Sequence, residues 1–250
     1  MPSDNTVNIL GVPVGAYTLP ELLQRLAGLW QTPGCAYTYG VNAHSLNLAA
    51  GNALFRQRLL AADVVYADGA SLLLAARLLG QRLPMKITTT DLWQPLCELA
   101  VQHNLRFYLF GGEPGLAERA RERALAAYPG LAIVGVHDGY TDIFAPHTIA
   151  AINASRADIV WAGLGDPLQA TWAWTVRPHL QAKLIITCGG MFKIVAGDLQ
   201  RVSPAWQQRG FEWLFRLCQE PRTWRRYLLG LPLFGLRVLR QAVQQAWFRP

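Results

Sequence analysis

The sequence predicts an α/β protein: a doubly wound, mostly parallel sheet followed by a helical C-terminal appendage. Three observations carry this. Short β-branched runs alternate with longer runs of helical periodicity over residues 8–188. Several short runs are nearly all apolar, as in Ile159-Val-Trp-Ala162 and Leu184-Ile-Ile-Thr187, which is the pattern of strands covered on both faces. Short loops join these runs, and the alternation stops near Gln200.

Strands are expected over 8–14, 35–41, 63–67, 106–110, 132–136, 158–163 and 184–188. Helices are expected over 20–29, from 43 through 46 toward 61, and over 71–79, 90–102, 114–128, 146–155 and 167–176. Ser203-Pro204 then reads as N-cap and first helical residue of a helix reaching about 218. Pro221 restarts a second helix that ends near Gly230, and Pro232 opens a third that runs to about 248. Three helices with no strand between them divide the chain into a body, 1–199, and an appendage, 200–250.

Charge sharpens that division. Residues 201–250 hold nine Arg, no Lys and two carboxylates, Glu212 and Glu220, so they carry the +7 net charge of the whole chain. A neutral body ending in a basic, Trp- and Phe-rich segment implies contact with something anionic that has an apolar or interfacial side. The cysteines, Cys35, Cys97, Cys188 and Cys218, form no C-x-x-C pair and read as reduced thiols of a cytosolic protein. The polar start, Met-Pro-Ser-Asp-Asn, lacks the features of a signal peptide. The longest apolar run, Tyr227 to Leu236, contains Gly230 and Pro232 and falls far short of the ~20 residues of a spanning helix. A cytoplasmic protein with peripheral membrane contact is expected.

Parallel sheets of this kind take ligands beyond the C-terminal ends of their strands. Gly111-Gly112-Glu113-Pro114-Gly115 lies there, where backbone N–H groups and a helix N-terminus suit a phosphate; a plain tight turn is the other reading. Gly163-Leu-Gly165-Asp166-Pro167-Leu168-Gln169 is a second such loop, with the Gln169 amide on the first helical turn. Cys188-Gly189-Gly190 is a third, and three loops together favour a nucleotide or phospho-sugar site. Asp68 follows a strand and precedes Gly69, so it suits either a general base or a helix cap. Asn42 suits either a sugar hydroxyl or a cap, and Asp91 reads as the cap of the 92–102 helix. The five histidines show no ligand spacing and read as structural, with no metal site implied.

In the basic segment, Arg222, Arg225 and Arg226 share one helical face, and Arg216 lies one helix earlier. Arg in place of Lys throughout favours bidentate phosphate contacts. The accompanying Trp and Leu residues fit a membrane surface better than nucleic acid. Arg237, Arg240 and Arg249 read as surface contacts only.

The motifs Ala67-Asp68-Gly69, Phe110-Gly-Gly-Glu-Pro-Gly115, Tyr128-Pro-Gly-Leu131, Asp138-Gly-Tyr140, Gly163-Leu-Gly-Asp-Pro-Leu-Gln169 and Phe211-Glu-Trp-Leu-Phe-Arg216, with Glu220-Pro221, occur in a joint order. In that order and spacing the chain resembles the WecG/TagA/CpsF glycosyltransferases of bacterial envelope polysaccharide assembly. The resemblance implies a Rossmann-like body and an inverting, metal-independent transferase with no cofactor. Its donor would be a nucleotide sugar, a UDP-sugar in the first instance. Its acceptor would be a polyprenyl-pyrophosphate-linked glycan for an exopolysaccharide or related polymer, at the inner face of the cell membrane. Asp68 matches the family's proposed base, Asn42 an acceptor-side Asn, Gln169 a donor-side Gln, and Arg216 and Arg226 the arginines for the leaving diphosphate. The appendage matches the membrane-docking element.

The expected substrate-binding set also takes in Lys86, Gly111, Gly112, Gly165, Gly189, Gly190, Lys193, Arg222 and Arg225, with the glycine loops holding the donor and the arginines the diphosphate. Departures from the family pattern fall at Gly40 (usually Thr), Lys86 (Arg), Ala170 (Glu), Lys193 (Asp) and Thr223 (Arg), and they bear on the donor sugar and its nucleotide. A catalytically degenerate nucleotide-sugar-binding protein at the membrane is the alternative. A homo-oligomer is compatible with either reading, and nucleic acid is not expected as a partner.

Overall fold

The computed structural model describes residues 5–201 and 212–247. Among them, eight strands form one sheet: β1 (Thr6–Ile9), β2 (Val12–Gly15), β3 (Ala36–Val41), β4 (Val64–Ala67), β5 (Arg106–Gly111), β6 (Ala132–His137), β7 (Ile159–Gly163) and β8 (Leu184–Thr187). Their spatial order is β1-β2-β4-β3-β8-β7-β5-β6, and each pairing except β1 with β2 is parallel. The chain steps outward from β3 to β4 and then crosses to the other half at β5, so the order reverses beside β3 and leaves a crevice at the strand ends.

Helices cover both faces. They are α1 (Leu19–Leu29), α2 (Ala43–Gly51), α3 (Ala53–Leu60), α4 (Ala70–Leu78), α5 (Thr89–His103), α6 (Leu116–Ala127), α7 (Pro146–Ala154), α8 (Leu168–Val176), α9 (Met191–Val195), α10 (Glu212–Gln219) and α11 (Gly230–Trp247). Successive residues of β7 show why its apolar run was informative. Ile159 and Trp161 pack with α1, α5, α6 and α9, while Val160 and Ala162 pack under Trp172 of α8.

Two predicted elements divide. The 8–14 strand is a hairpin, because Leu10 and Gly11 take positive φ (52° and 79°) and reverse the chain between β1 and β2. Apolar alternation continues through that turn and hides it. The helix expected from 43 toward 61 breaks at Asn52 (φ −137°, ψ 102°), whose Oδ1 accepts from Phe55 N–H at 2.9 Å and caps α3.

The C-terminal segment differs most from expectation. Residues 221–230 are a 3-10 turn (Pro221–Thr223) and a π turn (Arg225–Leu229) that runs directly into α11. Pro232 sits in the first turn of α11, and its missing N–H leaves no α-type partner for the Leu228 carbonyl, which disfavours a regular α ladder there. The Ser203-Pro204 cap and Arg249 lie outside the described residues. The final helix also closes the core. Phe234 and Val238, 4% and 1% exposed, pack with Leu46 and Ala49 of α2 and Leu72 and Ala75 of α4. Each such burial stabilises by about 1.5–3 kcal/mol.

Arg237, expected to make only surface contacts, instead donates to Asn47 O (2.8 Å) and Asn47 Oδ1 (3.0 Å). Its helix turns inward on a narrow stripe that exposed leucines on either side disguise. Gln241 ties the same helix to the hairpin, donating to Asn8 O at 2.9 Å and accepting from Leu10 N–H at 2.8 Å. No described helix is long and apolar enough to cross a membrane.

Candidate active site

β3 and β4 run side by side with Val41 opposite Ala67, so the residues that follow them, Asn42 and Asp68, emerge at one sheet edge. Asn42 caps α2: its Oδ1 accepts from His44 N–H (3.0 Å) and Ser45 N–H (3.2 Å). Two N–H donors fix which end of the amide is oxygen and leave Nδ2 as the donor available to a ligand. Asp68 is not the cap of α4. That position is Gly69, whose φ of 135° admits only glycine without strain.

Asn42, His44, Asp68, Ser71, Lys86 and Thr88 line a cavity of about 330 Å³. The C-terminal segment supplies the other wall with Trp213, Arg226, Tyr227 and Leu231. The lining thus combines polar and charged side chains with the apolar Leu74 of α4 and Leu231. The loop before Thr88 brings Lys86 in, and the Thr88–Asp91 capping box holds it: Thr88 N–H donates to Asp91 Oδ2 at 2.8 Å and Asp91 N–H to Thr88 Oγ1 at 3.2 Å. The cap is Thr88; Asp91, read from the sequence as the cap, is instead the third helical residue, whose carboxylate closes the box.

Arg226 is felt beyond its own segment. The His44 imidazole lies below its ordinary pKa, first because it is buried, second because the Arg226 guanidinium is near; Asp166 opposes both. Burial likewise pushes the Tyr39 phenol well above its ordinary range, with Asp166 adding to the rise and Arg226 working against it. The cavity and the Asp166 loop are thus electrostatic neighbours.

Gln169 lies outside that cavity. It is 7% exposed, and its Nε2 donates to Asp166 Oδ1 (2.7 Å) and Tyr39 OH (3.2 Å) while its Oε1 accepts from Gly189 N–H (3.0 Å). The Tyr39 hydroxyl also donates to Asp166 Oδ1. Gln169 therefore knots the loops after β7 and β8 together, with Gly165 and Gly190 in the same two loops, and the Gly189 amide is already engaged.

The Gly111-Gly112 loop favours the turn reading. The Gly112 N–H donates to Gly163 O at 3.1 Å, and a Cβ on Gly111 would lie 2.5 Å from that oxygen. These glycines let two strand ends touch, and they do not line the cavity.

Lys193 is paired. Its Nζ lies 2.6 Å from Glu220 Oε1, which joins α9 to the C-terminal segment. Arg222 and Arg225 are exposed, the latter stacked over Trp224 at 5.3 Å, and neither lines the cavity. The Arg216 side chain lies outside the described residues. Sequence reasoning missed His44, which it took as structural, and Thr88, Trp213 and Tyr227. The signal for His44 was its place two residues after Asn42, at the start of a helix that rises from the sheet edge. The Gly40 departure has a local cause, since a Cβ there would lie 2.9 Å from the Tyr66 ring.

The protein is thus of the mostly parallel α/β class, with a carboxylate at its strand ends and an arginine from the C-terminal segment lining one cavity. The chain belongs to the glycosyl transferase WecG/TagA/CpsF family, whose model matches residues 7–247. It is 30% identical over 196 residues, 77% of this chain and 74% of the relative, to the N-acetylglucosaminyldiphosphoundecaprenol N-acetyl-beta-D-mannosaminyltransferase of Bacillus subtilis (strain 168). It is 28% identical over 190 residues, 76% of this chain and 73% of the relative, to the protein of the same name in Bacillus spizizenii. The family assignment makes the protein a glycosyltransferase.

Proposed function

We propose that this protein transfers a sugar from a nucleotide-diphosphate donor, a UDP-sugar, to a glycan carried on polyprenyl diphosphate, forming a β-linkage by inversion. The observation that carries this reading is the single cavity where Asp68 and Asn42 from the sheet edge meet Lys86 and Arg226. In the reaction, Asp68 takes the proton from an acceptor hydroxyl. The oxygen bonds to the anomeric carbon as the bond from that carbon to the diphosphate breaks, and the bonding pair leaves with the nucleoside diphosphate. One base and a stabilised leaving group suffice for inversion.

Arg226 and Lys86 are the groups placed to meet the diphosphate charge, a role that a metal serves in other transferases. The Asn42 amide orients the acceptor sugar. The activity for which the Bacillus relatives are named supports an acceptor of the sugar-diphosphoundecaprenol class. The apolar lining residues Leu74 and Leu231 suit the start of its prenyl chain. Residues 200–250 then have two roles: they complete the site, and exposed Leu233, Leu236 and Val243 contact the cytoplasmic membrane surface.

A thermal-shift screen against nucleotide sugars, followed by transfer assays on polyprenyl-diphosphate-linked sugars, tests this. A true donor raises Tm by mass action, and a labelled sugar then moves to the lipid fraction. Stabilisation by a nucleotide sugar with no transfer to any such acceptor would favour the binding-protein alternative.

A further inference from the structure

Residues 220–230 carry Arg226 and Tyr227 into the cavity, yet they contain no regular α-helix until Gly230. A 3-10 turn followed by a π turn is too short and irregular to hold its own shape; apart from the ring contact of Tyr227 with Trp213, with centroids 6.1 Å apart, its ties are at its ends. Both ends are tied. At the first, the Lys193 ammonium contacts the Glu220 carboxylate at 2.6 Å, with side chains 38% and 20% exposed. Thr223 N–H and Oγ1–H both donate to the Glu220 carbonyl (2.9 and 2.7 Å). Just before it, Gln219 exchanges two hydrogen bonds with the Gln200 backbone, 2.8 and 3.0 Å.

At the far end, Asn47 Nδ2 donates to Gly230 O at 2.7 Å, and Arg237 bonds Asn47 O and Oδ1. Asn47 and His44 stand one turn apart on α2, the helix that Asn42 caps. The helix at the cavity edge thus grips one end of the segment. The helix after the Gly189-Gly190 loop grips the other.

We propose that Asn47 and the Lys193–Glu220 pair are positioning residues that pin the 220–230 segment at both ends and so hold Arg226 in the wall of the cavity. They act through Arg226 and touch no substrate. A cation at 193 is useful because its partner, Glu220, belongs to the segment being held. The inference rests on the role given to Arg226 in the proposed function, and its test separates the two.

The test uses the full chain with Lys193→Met, the charge swap Lys193→Glu with Glu220→Lys, and Asn47→Ala, each with and without Arg226→Ala. The first readout is limited trypsinolysis followed by mass spectrometry, which needs no activity. Lys193→Met and Asn47→Ala are expected to speed cleavage after Arg222 and Arg225 by about tenfold, as for local opening eased by one lost tie, and the swap to restore most of the protection. The second is transfer kinetics, with kcat falling by about tenfold, donor KM moving much less, and no further fall in the Arg226→Ala background. Unchanged cleavage at the segment in Lys193→Met, or kinetic losses that add fully to that of Arg226→Ala, would overturn the inference. If Arg226→Ala alone leaves turnover intact, the leaving-group role of Arg226 fails, and the cleavage rates still decide whether the pins hold the segment.

Discussion

Arg226, from the C-terminal segment, and His44, from the first turn of α2, line the same cavity, and the guanidinium adds to burial in holding the imidazole below its ordinary pKa. Residues 182 positions apart in sequence therefore report on each other. Arg226→Gln is expected to raise the His44 pKa, read from the imidazole Cε1 proton in an NMR titration. An unchanged titration would show that Arg226 does not occupy this wall in solution. The sign for stability follows. The unfolded chain takes up the His44 proton at higher pH than the folded protein, so His44 costs stability as pH falls below about 6.5.

Asp158, just before β7, ties three strands. It accepts from Arg106 N–H (2.9 Å) and Arg106 Nε–H (3.0 Å), and it pairs with Lys183 at 3.2 Å. Burial works to raise its pKa, but these bonds outweigh burial and hold it below the ordinary value of 3.8. A depressed carboxyl contributes stability above its unfolded pKa and loses it as pH falls through the folded one. Asp158→Asn should therefore cost about 1–3 kcal/mol at pH 7. Denaturant melts should show the gap to wild type shrinking in strong acid, whereas an equal gap at both pH values would contradict the assignment.

Phe234 and Val238 belong to the core, so removing the C-terminal helix exposes that core and confounds any test of membrane binding by truncation. Phe234→Ala should destabilise by about 3–5 kcal/mol and Val238→Ala by less, measured by urea melts. Leu236→Glu with Val243→Glu changes exposed positions and should leave the melt nearly unchanged. The same pair should abolish flotation with phosphatidylglycerol vesicles. Flotation equal to wild type would remove this face from the docking surface.

The body of the fold was legible because its strands are apolar on both faces and its loops are short. The place of Asp68 and Asn42 at the sheet edge was legible because both directly follow parallel strands; the unbalanced charge pointed to the basic segment as a whole, and only the family resemblance singled out Arg226 within it. What stayed hidden depended on tertiary contact. The turn at Leu10-Gly11 carries apolar residues on both sides, so periodicity ran through it. Glycines 111 and 112 looked like a phosphate cradle, but they answer to the Gly163 backbone on the next strand. The inward turn of Arg237 and the pairing of Lys193 depend on Asn47 and Glu220, which lie far away in sequence.

The most direct measurement is the turnover of Asp68→Asn with a nucleotide-sugar donor and a polyprenyl-diphosphate-linked acceptor. Asn keeps the size and loses the basicity, so kcat should fall by about 10²–10⁴, with the donor-dependent thermal shift retained. Turnover equal to wild type would contradict the assignment of Asp68 as the base, and with it the placement of the chemistry at the ends of β3 and β4.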